Sequence, residues 1–437
     1  MKICIAFHSC MDLGGIINHT EQLIGGLQDL GHTVHLKELV YNAKVFDVRK
    51  EGNFEVGPSG IPFSQGKGWN FKLRDRIAYK TTAGLKSAQQ ILNSYDMVIW
   101  TVPVVPKNKH HLGNHLWPEL YDLSPSVKQV AFIHDGNARS NSLHLQHVAH
   151  HLSGLACVHE CALNGADFLP IPRALVLNPQ ENPVREVQHW SNKRAGFVNM
   201  QTFKAWKHVH ELVEAIAYMP TRHPEELREI AGKGIEYQYM TSEDKCKPEY
   251  FHENFAEEAG HAFVDDPWFS GMKIWEAALQ NDMTHHDYWN TQEVDEMLTS
   301  ARVLVDPSWS NKYSKIGGHW NRVVVDAMIR GCVPVAQKLG MGKSLFVAGQ
   351  HYVDLDAARD AQDYADIVLG AGNMNTMEAQ HYRDYALELL PLFDRKNVAQ
   401  KLIDLAFGNI ETEVGTEDPI LKSKYEDLMF NHYGVLA

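Results

Sequence analysis

The sequence predicts an α/β protein of two doubly wound, Rossmann-like domains of similar size. Three observations predict it. A strand, a glycine-bearing loop and a helix open the chain; short apolar runs recur after them, each closed by polar or proline-containing residues; and the same succession restarts after a polar stretch near residue 180. Short continuous apolar runs are how strands covered on both faces of a parallel sheet read, and their alternation with helical stretches places helices on both faces.

The first strand is read at Ile3 to Phe7, followed by a loop holding Gly14 and Gly15. A helix follows with Leu23, Ile24, Leu27 and Leu30 at three-to-four spacing, Asn18 and Glu21 as its N-cap and reciprocal acid, and Gly31 at its end. A strand at Thr33 to Leu36 continues the unit, and the runs Met97 to Val102, Gln129 to Ile133, Leu155 to Val158 and Ala174 to Leu177 supply the rest of a sheet. The stretch LNPQENPVREVQHWSNK, Leu177 to Lys193, is polar with two prolines and reads as a linker. A second set then runs through a strand at Gly196 to Val198, a helix carrying Val209, Leu212, Ile216 and Met219, strands at Ile235 to Tyr239 and Val303 to Val305, a helix at Val323 to Ile329 and a strand at Val333 to Ala336. The expected domains are residues 1–180 and 194–414, with an irregular acidic and aromatic insertion near 246–295 and a C-terminal helix, 415–437, packing back on the first domain. Two such domains face each other across a cleft at the carboxyl ends of their strands, where doubly wound folds bind ligands.

Composition excludes some classes of function. No run of 18 apolar residues exists and MKICIAFHSC lacks the make-up of a secretory signal, so the reading is a cytoplasmic protein with no membrane partner. The six cysteines are scattered without paired metal-ligand spacing and read as buried thiols. The net charge of -13 argues at first against a polyanionic partner, but residues 1–180 hold 16 lysines and arginines against 14 acids, so the acid excess lies wholly in the remainder. Between Gly66 and Lys86 the cations Lys67, Lys72, Arg74, Arg76, Lys80 and Lys86 face the single acid Asp75, with Trp69 and Phe71 interleaved. That segment fits phosphate contact or an ordinary solvated helix and loop.

Several motifs carry chemistry. Gly14 and Gly15 stand where a backbone approaches a diphosphate at a helix N-terminus, or make a plain tight turn. Lys204 and Lys207, after the first strand of the second domain, are placed to neutralise a leaving diphosphate or merely decorate a loop. In NRVVVDAMIRGCVPVA, Asn321 to Ala336, an acid on a helix ended by Gly331 and followed by a strand is the pattern that holds a nucleotide-sugar donor, with Asp326 accepting ribose hydroxyls. His134 and Asp135 close a strand, where a carboxylate beside an imidazole orients or deprotonates a hydroxyl, or forms a structural pair. His144, His147 and His151 share one face of a helix with no carboxylate in step, which reads as a polar face rather than a metal site. Asp354-Leu355-Asp356 reads as a turn.

MKICIAF with its glycine loop, VAFIHDGNARS, HECALNGADF, AWKHVHE, KGIEYQYM, YSKI and DAMIRGCVPV together resemble the DNA α-glucosyltransferases of T-even bacteriophages, GT-B enzymes that move glucose from UDP-glucose to 5-hydroxymethylcytosine in double-stranded DNA. The resemblance covers most of the chain. It implies catalytic roles for His134 and Asp135 and donor binding by Lys207, Lys315 and Asp326, to which the reading of the residues adds Gly14, Gly15 and Lys204 as donor-binding candidates. It also implies retention at the anomeric carbon; with DNA as acceptor, a flipped-out target base is expected and the basic residues Lys67, Lys72, Arg74, Arg76, Lys80 and Arg139 are read as its contacts. A UDP-sugar is the donor substrate, with no further cofactor and no metal, and hinge motion near 180–193 closes the domains. The chain departs from the family in lacking an arginine at Asn199-Met200-Gln201 and an earlier glutamate on the donor helix, the nearest positions being Gly318 and Asn321. These departures open the sugar to arabinose or another UDP-sugar. Three other readings stay open: addition of a second sugar to already glycosylated DNA, a GT-B transferase acting on a polysaccharide or small molecule, and a non-catalytic DNA- or nucleotide-binding module.

Overall fold

The computed structural model describes residues 1–8, 14–40, 76–78, 81–101, 118–134, 146, 148–159, 162–163, 166–201, 209–220, 222–231, 283–286, 291–308, 322–337 and 345–413. They divide into two compact units, one of Met1–Asn182 joined by the segment from Leu392, the other of Pro183–Pro391.

The first unit is built on seven parallel strands: β1 (Lys2–His8), β2 (Thr33–Val40), β3 (Arg76–Ala78), β4 (Met97–Trp100), β5 (Lys128–Ile133), β6 (Gly154–Cys157) and β7 (Arg173–Leu175). Their spatial order is β3-β2-β1-β4-β5-β6-β7. Helices α1 (Gly14–Asp29) and α2 (Thr82–Leu92) connect them. Ile3, Ile5, Val98, Ile99, Val130, Phe132 and Leu155 are fully buried, as the continuous apolar runs require of strands covered on both faces. Helix α1 already begins at Gly14, so Asn18 and Glu21 lie inside it rather than capping it. Two glycines cost a helix least in its first turn, where the N–H groups have no intrahelical partners, and propagation then adds a hydrogen bond per residue.

The second unit carries six parallel strands in the order β10-β9-β8-β11-β12-β13. In chain order its elements are β8 (Arg194–Met200), α3 (Val209–Tyr218), β9 (Leu227–Ala231), β10 (Thr284–His286), α4 (Thr291–Ser300), β11 (Ala301–Asp306), α5 (Arg322–Ile329), β12 (Val333–Ala336), β13 (Val353–Asp354), α6 (Ala361–Gly372) and α7 (Thr376–Leu389). Gly331 ends α5 at φ 71°, a left-handed conformation that only glycine adopts without strain. Asp354 closes β13 and Leu355–Ala357 forms a 3-10 turn, in keeping with the turn read there. The strand read at Ile235 to Tyr239 lies outside the described residues, and the partner of β8 is the earlier Leu227–Ala231. The end of the supposed insertion is also regular: Thr284–His286 pairs with β9 and α4 starts at Thr291. Three residues carry no periodicity, so only pairing reveals such an edge strand.

Helix α8 (Arg395–Ala406), inside the range expected for the second domain, belongs to the first unit, which the chain rejoins at Leu392; residues 415–437, where a returning helix was expected, lie outside the described residues. Helix α8 crosses α1 where Gly25 and Gly26 let the helices touch: a Cβ on Gly26 would overlap the carbonyl oxygen of Arg395. The Arg395 guanidinium binds Asp29 at 2.7 Å and Glu181 at 3.1 Å, and its N–H donates to Gln180 O at 2.9 Å. On the other side of the crossing, Arg185 pairs with Asp295 at 3.1 Å and Trp190 Nε1 donates to Met374 O at 2.9 Å. The stretch read as a linker over 180–193 is therefore held by one unit or the other, leaving the crossing itself at Asn182, at φ 49°, and Pro183.

Lys193 is buried, and its Nζ donates to Leu298 O, Thr299 O and Ala301 O at 3.2, 2.6 and 3.1 Å, capping the C-terminus of α4. Burial holds its amine below the ordinary lysine value, with Arg383, Arg185 and Arg330 acting in the same direction. Lys193→Ala orphans these carbonyls and is expected to cost roughly 2–4 kcal/mol, read as a lower urea midpoint. An unchanged midpoint would show the cap to be dispensable.

Candidate active site

Each sheet reverses its order of winding once, between β1 and β4 in the first and between β8 and β11 in the second. At such a switch point the flanking connections leave in opposite directions and open a crevice at the carboxyl ends of the strands. Of the sequence-derived candidates that the structure describes, Gly14, Gly15, His134 and Asp326 lie on the elements around these two points, whereas Arg76 begins the edge strand β3.

In the first unit, Thr101 follows β4 and ties to β1 through its N–H and hydroxyl, which donate to Ala6 O at 3.1 and 3.2 Å. His134 follows β5. Its ring stacks on Phe132 at 5.7 Å and donates to the Thr101 main chain, while Nε2 is buried with no hydrogen-bond partner among the described residues. Burial pushes its imidazole down to about 4, with the Thr101 bond opposing, so the ring is neutral at physiological pH. Beneath it, His134 O accepts from His159 Nε2 at 3.1 Å, and His159 Nδ1 accepts from Ala162 N–H at 3.1 Å. Those two contacts fix the His159 tautomer and hold the main chain under His134. Gly14 and Gly15 form the first residues of α1, which follows β1 at the same edge.

In the second unit, the residues after β8 and β11 form a closed hydrogen-bonded ring that sequence reading missed. Gln201 Nε2 donates to Asp306 Oδ1, Ser308 N–H donates to the same oxygen at 3.1 Å, and Ser308 Oγ donates to Gln201 Oε1 at 3.0 Å. All three residues are buried. Gln337, after β12, donates to Glu211 of α3 at 3.1 Å. Tyr364 of α6 abuts the same cluster: burial, Glu211 and Asp306 all push its phenol well above the ordinary value. The only sequence signal was negative, the missing arginine at 199–201; Gln201 now stands there as a crosslink between the ends of two strands. Gln201→Leu strips a donor from a buried carboxylate and is expected to cost roughly 1–3 kcal/mol. Because the ring ties the ends of β8 and β11 together at the second switch point, UDP affinity measured by calorimetry is expected to fall as well. A variant with unchanged stability and affinity would refute that role.

Asp326 lies on α5, mostly buried, with Oδ2 3.4 Å from Arg322 Nε and Oδ1 3.9 Å from an Arg330 nitrogen. Arg330 also binds Asp295 at 2.8 Å. Two long ion pairs leave acceptor sites on a carboxylate, which has about four. The arginine partners were not anticipated, since helical i, i+4 spacing shows which residues share a face but not what faces them.

Asp135, Lys204, Lys207, Lys315, Lys67, Lys72, Arg74, Lys80 and Arg139 lie outside the described residues. Arg76 begins β3, its main chain paired with Glu38 of β2, in a segment read as helix and loop. His144 and His147 are outside the described residues, and the rings of His150 and His151 pack at 3.8 Å. Among the described residues no helix is long and apolar enough to cross a membrane. Cys4, Cys157 and Cys332 are buried free thiols, and burial pushes the first two up to about 12.

No family model matches the chain, and no curated protein is similar to it in sequence. Solved structures are similar to it over nearly their whole length. Anabaena HepE in complex with UDP-glucose matches at TM-score 0.60 and 14% identity, over 94% of this chain and 100% of that one. The α-glucosyltransferase of phage T4, in complex with UDP-glucose and DNA containing an abasic site, matches at TM-score 0.59 and 13% identity, over 93% of this chain and 99% of that one. The fold is GT-B. A glycosyltransferase from Rickettsia africae matches at TM-score 0.55 and 12% identity, over 93% of this chain and 98% of that one.

Proposed function

We propose that this GT-B protein is a UDP-sugar-dependent glycosyltransferase, and that it moves the sugar, with retention, to the hydroxyl of a 5-hydroxymethylpyrimidine in double-stranded DNA. Glucose on 5-hydroxymethylcytosine is the first expectation, with arabinose or another sugar compatible with the departures at Asn199-Met200-Gln201. The observation that carries the reading is a neutral His134 at the switch point of the first sheet, with Nε2 buried and, among the described residues, unpartnered. A buried polar atom without a partner costs about 1–3 kcal/mol, and a substrate hydroxyl supplies the missing bond. Support for the donor comes from the structural neighbours solved with UDP-glucose, and support for DNA from the one solved with it.

In this reading Lys207 and Lys315, assisted by Lys204, offset the negative charge that grows on the departing diphosphate, which stabilises the transition state more than the bound donor. Gly14 and Gly15 let the main chain approach the donor, and Asp326 accepts ribose hydroxyls beside its arginines. Asp135 with His134 orients or deprotonates the attacking hydroxyl. Lys67, Lys72, Arg74, Arg76, Lys80 and Arg139 meet the phosphates of DNA whose target base has been flipped out, in the cytoplasm of an infected host cell.

The test incubates the purified protein with a panel of UDP-sugars and duplex DNA containing cytosine, 5-hydroxymethylcytosine or 5-hydroxymethyluracil, then reads nucleoside masses. A hexose or pentose gain on one hydroxymethylated base is expected. UDP binding with no gain on any base would overturn the DNA acceptor. The net charge of -13 favours one second reading, a polysaccharide or small-molecule acceptor, and UDP-sugar consumption on such an acceptor alone would select it.

A further inference from the structure

We propose that His19 and Asn178 are positioning residues for His134: they hold its ring so that Nε2 stands at the first switch point as an unprotonated acceptor for a substrate hydroxyl. The consequence for turnover rests on the function proposed above; the state of the ring does not.

Three distant segments build this array. His19 comes from α1, His134 follows β5, and Asn178 follows β7. His19 is 1% exposed and its Nδ1 lies 2.9 Å from Asn178 Oδ1. An amide oxygen only accepts, so Nδ1 of His19 carries the hydrogen and the ring orientation is set by Asn178. From that position the His19 ring meets two aromatic neighbours edge to face: Phe132 at 4.6 Å and 79°, and His134 at 4.8 Å and 85°. Phe132 in turn stacks on His134 at 24°. The three rings form a closed set in which each touches the other two.

His134 is thus fixed on several sides at once. Phe132 lies along its face, His19 stands perpendicular to it, and the Thr101 main chain takes the hydrogen of the ring nitrogen other than Nε2. The two aromatic contacts hold the plane of the ring, and a half-turn within that plane would exchange nitrogens for carbons and break the Thr101 bond. Offset and edge-to-face packing from two sides restrains the ring plane, which keeps Nε2 in one place. The ring is therefore the Nδ1–H tautomer, with a lone pair on Nε2. A histidine serving the core alone would be expected to have both nitrogens satisfied.

The test uses the full chain with 15N-labelled histidine and long-range proton–nitrogen spectra of the imidazoles, His134 being assigned by its loss in His134→Gln. The wild type is expected to show His134 with Nδ1 protonated and Nε2 bare at pH 7. In His19→Ala, and in Asn178→Ala where the smaller change spares the fold, the two nitrogens are expected to move toward tautomer-averaged shifts. His19→Phe, which restores a ring edge, is expected to recover the wild-type pattern in part. An Nε2–H tautomer in the wild type, or an unchanged His134 in both alanine variants, would overturn the proposal. Turnover supplies the second reading: His19→Ala is expected to lower kcat about ten-fold or more with UDP affinity unchanged, the signature of a misplaced group rather than a damaged fold. A fixed Nδ1–H tautomer in a protein that transfers no sugar supports this inference and counts only against the proposed function; transfer by a protein whose His134 ignores His19 does the reverse.

Discussion

Replacing His134 by alanine is expected to lower kcat by about a hundred- to ten-thousand-fold, the range over which a positioned acid–base or orienting group contributes, while UDP affinity stays within about two-fold. Asp135→Ala is expected to behave alike, and a non-catalytic binding module would be indifferent to both. The pH dependence separates His134 from a surface histidine. Burial holds it at about 4 rather than near 6.5, so the acid limb that it contributes to kcat/KM is expected near pH 4, with a flat profile through pH 6.5. A limb near 6.5 that disappears in His134→Ala would contradict the neutral-acceptor role. Stability is linked with the matching sign. A folded-state value below the unfolded one gives a contribution that is complete above about pH 6.5 and lost as the pH falls through about 4, because the unfolded chain binds the proton first.

The second large effect is expected far from the chemistry. Gly26→Val places a branched side chain where α1 touches the main chain of α8 at Arg395, and a backbone carbonyl has no rotamer by which to give way. Either the helices separate, or Arg395 loses some of its contacts to Asp29, Glu181 and Gln180. Overpacking of this kind costs about 3 kcal/mol, which in a unit of this size lowers the melting temperature by about 10 °C. Calorimetry checks it, and a shift below about 2 °C would mean that α8 contributes little to the first unit. Arg395→Ala removes the same ion pairs without a clash, so a smaller drop in that variant separates overpacking from lost charge pairing.

The sequence by itself determined the two-sheet architecture, the interior strands and the helix ends at Gly31 and Gly331, because continuous apolar runs and helix-ending glycines are local signals. It also marked His134 as the residue that closes a strand. Only the tertiary structure decided that the edge strands β3 and β10 and the interior strand β9 exist, since short segments acquire their pairing from a neighbour rather than from their own pattern. It alone decided that α8 belongs to the first unit: an apolar helix face says that it must be covered, not by which domain. The convergence of His19, Thr101, His134 and Asn178, and the ring of Gln201, Asp306 and Ser308, join residues scores of positions apart. Such contacts depend on which strand lies beside which, and strand order is set by the packing of whole sheets rather than by any local spacing along the chain.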